Sequence, residues 1–167
     1  MLFIWLCIHS LDYMTLCHTT PGWDPTLYPS AYRIKRGTYS LLNPTFQRSQ
    51  EDVDLLFEIL LAGTQIDSED HQLFVPDEEL ASLRQVKKLE VICEDILPKT
   101  LSEVRRVVEL LSHRSVPLHW DDYQRTVLTL VYISQTVAHL DTELSQQAWG
   151  SVLIQLFSAL HKDLTLN

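Results

Sequence analysis

Apolar positions recur with a helical period through most of this chain, beginning near residue 49. Ser49 is a good N-cap, and Glu51 and Asp52 suit the positive end of a helix dipole. Val53, Leu56, Ile59 and Leu60 then share a face that Leu55 widens, and Gly63 is the natural stop, so a helix is predicted over 49–62. Residues 64–76 connect it onward and carry Leu73-Phe74-Val75, which pairs as a brief strand or plugs the end of the bundle. Pro76-Asp77 opens a second helix that turns Leu80, Leu83, Leu89, Ile92, Cys93 and Ile96 inward. Its spacing slips between Gln85 and Lys88, which predicts a kink or a break, and Pro98 discourages continuation.

Thr100-Leu101-Ser102-Glu103 matches a capping box, in which the Thr and Glu side chains satisfy orphan backbone N–H groups reciprocally. The third helix runs from there to about 113 and buries Val104, Val107, Val108 and Leu111. The fourth spans 120 to about 140, with Tyr123, Val127, Leu130, Val131, Ser134 and Val137 inward. Its Thr and Val content is strand-like, but about twenty residues without Gly or Pro exceed an ordinary strand. The last helix, about 145–163, carries Trp149, Val152, Leu153, Leu156, Phe157, Leu160 and Leu164 on its stripe, and Gly150 allows close approach of a neighbour. The predicted fold class is all-α: a small four- to five-helix bundle over 49–165, preceded by a signal-like leader and a flexible basic linker.

The leader is residues 1–20. Leu2 to Ile8 is an unbroken apolar run, at the short limit for the core of a secretory signal and too short to span a bilayer. Cys17 and Thr19 are small residues suited to a position before a signal-peptidase cut. Residues 21–48 read as a linker or propeptide, punctuated by Pro21, Gly22, Pro25, Pro29 and Asn43-Pro44. Within it lies Arg33-Ile34-Lys35-Arg36-Gly37, which fits the cleft of a proprotein convertase. Arg33 and Arg36 sit four and one positions before the cut, with Lys35 between them, and guanidinium forks pair well with a carboxylate-lined cleft. Gly37 follows with little bulk. Lys87-Lys88 and Arg105-Arg106 lack a basic residue at the outer position and fall in predicted helices, so neither is expected to be cut.

Charge divides at the same point. Residues 1–36 hold three basic and two acidic residues, whereas the remainder holds ten basic and twenty acidic, a net of −10. That balance argues against nucleic acid and anionic lipid and favours a basic protein partner. Of Cys7, Cys17 and Cys93, only Cys93 survives removal of the leader. It is read as a buried small hydrophobe, with an intermolecular disulfide as the alternative. Asp54 and Glu58 share a helical face and are read as a solvated acidic surface, since His or Glu partners at metal-binding spacing are missing. No glycine-rich phosphate loop, His-Glu-x-x-His run or zinc spacing occurs, so no cofactor or metal is expected, and no catalytic residue is assigned.

Four stretches carry a family likeness: Arg33-Ile34-Lys35-Arg36-Gly37, Gln50-Glu51-Asp52-Val53-Asp54-Leu55-Leu56-Phe57-Glu58, Asp77-Glu78-Glu79-Leu80-Ala81-Ser82-Leu83-Arg84, and Thr126-Val127-Leu128-Thr129-Leu130-Val131-Tyr132. With them the chain resembles the vertebrate "family with sequence similarity 180" from roughly residue 33 to 164. The resemblance implies a small secreted protein, a location rather than a chemistry. The expectation is therefore a secreted, convertase-processed helical protein, not an enzyme, that acts by binding an unidentified partner or receptor. The alternatives are an intracellular helical adaptor that keeps its N-terminus, and an enzyme whose site sequence patterns do not reveal.

Overall fold

Capping groups set where each helix begins. The computed structural model describes residues 26–32, 46, 48–67 and 72–165. Helix α1 is Gln50–Leu61; the Ser49 hydroxyl accepts the Asp52 N–H, and the Asp52 carboxylate accepts the Arg48 N–H at 2.9 Å. Gly63 ends the helix at φ +87°, a conformation that strains any side chain. Strands β1 (Gln65–Ile66) and β2 (Leu73–Phe74) follow as a minimal antiparallel pair, so Leu73-Phe74 does pair as a brief strand.

The second predicted helix is broken. Asp77 caps the single turn α2 (Glu78–Ala81), Leu83 is extended, and α3 (Arg84–Val91) runs on into a π-helical turn, Ile92–Ile96. Leu80, Leu83, Val86 and Leu89 recur every three residues. That is short of the helical period of about 3.6, so one straight helix would carry the stripe round its surface. The extended Leu83 resets the phase, a few residues before the expected slip. The wider π turn brings Ile92, Cys93 and Ile96 inward together.

Helix α4, Leu101–Ser112, opens with both halves of the capping box in place. Helix α5, Trp120–His139, is followed by α6, Glu143–Thr165. Helix α6 packs most extensively against α5 and α4. It also fastens the α4–α5 connection, because the buried Asp163 carboxylate accepts the Leu118 N–H at 3.0 and 3.2 Å. Lys162 adds a bond to the Ser112 carbonyl at 3.1 Å. At the other end, Gln135 clamps the hairpin to α5, accepting from the Ile66 N–H at 3.0 Å and donating to the Thr64 carbonyl at 2.8 Å. An added Cβ at Gly150 would meet nothing within 4 Å, so that glycine does not serve the close helix approach expected of it.

The chain is all-α apart from the hairpin. Three further features differ from the sequence reading. Helix α5 buries far more than a stripe: between Asp122 and Ile133 only Val127 is not buried. Val127, Ser134 and Val137 from the expected face are half-buried instead. The core also reaches into the stretch read as linker, where Leu27, Tyr28, Ala31 and Phe46 are all buried, so a domain boundary at 49 leaves core residues outside it. The leader 1–20 lies outside the described residues.

Replacing Thr100 with Ala should lower the unfolding free energy by about 1 kcal/mol, read from urea denaturation at neutral pH. Partial burial opposes the Glu103 charge, but the N–H groups of Thr100 and Lys99, the Thr100 hydroxyl and the Arg106 charge together hold its carboxyl below the usual value. A lowered folded pKa stabilises above the unfolded value and is lost as pH falls through the folded one. The Glu103→Gln variant should therefore approach the parent in stability only as the solution becomes acid.

Candidate functional site

Residues 26–32, here called the strap, owe their place to three adjacent kinds of contact. Pro29 fixes its own φ and starts a 3₁₀ turn, Pro29–Tyr32, closed by the Ala31 N–H on the Tyr28 carbonyl at 3.1 Å. That turn lies against the π turn that follows α3. Leu27 is fully buried, and its carbonyl accepts from the Arg106 guanidinium of α4 at 3.0 Å. Tyr28 is buried to its hydroxyl, which lies 2.9 Å from the Thr126 hydroxyl and 3.4 Å from that of Thr129.

The proton roles in that cluster follow from counting hydrogens. Thr126 donates to the Asp122 carbonyl at 2.7 Å and Thr129 to the Arg125 carbonyl at 2.8 Å. Each threonine has one hydroxyl hydrogen, now committed one turn back along its own helix. Tyr28 must therefore be the donor, with Thr126 the nearer acceptor. Beside it, Arg125 and Asp122 form a buried ion pair at 2.9 Å. Burial raises the Asp122 pKa above its usual value, although the charge of Arg125 and its hydrogen bond oppose the shift. Further along, the Phe46 N–H donates to Gln124 Oε1 at 3.2 Å, with the Phe46 side chain fully buried.

Both sides of the proposed cut are thus held by one helix. Tyr28 and Ala31 lie before Arg33, Lys35, Arg36 and Gly37, and Phe46 lies after them. The four processing residues themselves lie outside the described residues. The control pairs are placed as expected: Lys87-Lys88 is inside α3 and Arg105-Arg106 inside α4. Arg106 reaches the strap, a role the sequence pattern did not hint at.

The family model that matches this chain does so over residues 27–164 and carries the description FAM180 family. The chain belongs to the FAM180 family. The matched FAM180 region opens at Leu27, the first buried residue of the strap, rather than at the first long helix. No solved structure matches the chain.

Chemically, these groups are suited to holding a segment of chain. Burial pushes the Tyr28 phenol from 10.0 to about 12, a shift the threonine hydroxyls and Arg125 only moderate, so it is a neutral donor at ordinary pH. Burial, with the charges of Glu94 and Glu90, pushes the Cys93 thiol to about 12 as well. Cys93 is buried in the π turn as the sequence reading expected, and Asp54 and Glu58 are exposed. A cleft of about 150 Å³ opens where the strap meets α4, lined by Leu27, Pro29, Pro98, Glu103 and Arg106 among others. Drug-sized ligands need about 300 Å³ or more, so the cleft is a seam that suits a few waters.

Changing Tyr28 to Phe removes one donor and leaves both threonine bonds intact, so it should cost about 1 kcal/mol at neutral pH. A raised folded pKa means that stability present below pH 10 is lost as pH rises towards about 12. Urea unfolding across that alkaline window should show the parent losing more stability than the Tyr28→Phe variant.

Proposed function

We propose that this FAM180 protein is secreted, is cut by a convertase after Arg36, and acts by binding another protein. The observation that carries the reading is the Arg33-Ile34-Lys35-Arg36-Gly37 cluster. A convertase cleft takes an extended chain, and the other two basic pairs are locked inside helices. The apolar run before residue 20 supports export, and the net charge of −10 after residue 36 favours a basic surface on the partner. No described helix is long and apolar enough to cross a membrane.

A second reading has its own support. The core places Leu27, Tyr28 and Ala31 upstream of the cut, which favours a protein that keeps its N-terminal segment, as an intracellular helical adaptor does. Expression of the tagged chain in mammalian cells, with N-terminal sequencing of medium and lysate, separates the two. Secreted protein with a new terminus at Gly37, lost in the Arg36→Ala variant, is the expected result. Protein confined to the lysate and starting at Met1 would establish the adaptor reading instead.

A further inference from the structure

We infer that the strap is not discarded on processing: the cut protein is a two-chain molecule in which residues 26–32 stay seated on α4, α5 and the π turn. This rests on the convertase reading for the cut, but the retention itself rests on packing. A propeptide that leaves must expose what it covered. Here departure would strip Leu27, Tyr28 and Ala31 from the core, at 0%, 1% and 4% exposure. It would also uncover the buried Thr126 and Thr129 hydroxyls and free Arg106 from the Leu27 carbonyl. Side chains buried to that degree belong to a fold's interior rather than to a surface-bound tail.

Position adds to this. Phe46, on the far side of the cut, is tied to Gln124, within one turn or so of the residues that receive Tyr28. Cutting between two segments pinned on one helix removes the tether and the high effective concentration it gave, but leaves the bonds of Tyr28 and Phe46 to that helix in place. The seat formed by α4, α5 and the π turn thus holds Leu27, Tyr28 and Ala31, and in the processed protein this chain's own N-terminal fragment occupies it.

The test uses the full chain, digested with a purified convertase, then run at micromolar concentration on native gel filtration and in parallel on a denaturing gel. The expected result is two bands on the denaturing gel from one native peak, with both Gly37 and a terminus upstream of residue 27 found by sequencing. A full chain carrying an unrelated protease site in place of residues 34–37 is digested alongside. If the convertase fails to cut but the unrelated protease yields one native peak, the processing reading falls and the retention stands. If either digest gives a helical large fragment that elutes without the N-terminal piece, the retention is wrong. Tyr28→Phe should raise the dissociation rate of the N-terminal fragment roughly five- to tenfold, the kinetic equivalent of one lost hydrogen bond. An unchanged rate would assign the seat no role for the phenol.

Discussion

Burial of the middle of α5 on nearly all sides is the constraint to which the rest of the structure answers. A helix so enclosed ordinarily carries apolar residues all round, yet this one brings Asp122, Gln124, Arg125, Thr126 and Thr129 into the interior. Polar groups taken out of water must find partners or cost more than they contribute. The threonines bond back to their own helix, Asp122 and Arg125 bond to each other, and Gln124 takes the Phe46 N–H. The oxygens of Thr126 and Thr129 still have room to accept. Tyr28 fills that place, so a segment from the far end of the sequence completes the core.

Much of the bundle was legible from the chain because capping residues and apolar stripes report local physics. Ser49, Gly63, Asp77 and the Thr100-Glu103 box mark helix ends where they stand. Val53, Leu56, Val104, Val107 and Leu156 point inward as their spacing requires. Periodicity failed where burial is polar. Thr126 and Thr129 look like a solvent face to any count of apolar residues, because their partners lie 98 and 101 positions away in sequence. Asp163 was hidden in the same way, since its use is to receive a loop N–H from Leu118.

The strap was missed for a different reason. Prolines and glycines dominate the reading of residues 21–48, and they do mark irregular chain. Irregular backbone is nevertheless compatible with deep burial when a short turn satisfies its own amides, as Ala31 and Tyr28 do. The adjacent pair Leu27-Tyr28 was the available signal, two large side chains in a segment that would otherwise have no use for them. The start of the FAM180 match at residue 27 agrees with the packing on this point.

The claim that the strap is part of the core has a direct thermodynamic test. Urea unfolding should be compared between a chain that starts at Thr26 and one that starts at Gly37. Removing the side chains of Leu27, Tyr28 and Ala31 from the core should lower the unfolding free energy by at least about 2 kcal/mol, in line with losses from other core truncations. Superimposable unfolding curves for the two chains would contradict the claim that the strap is part of the core.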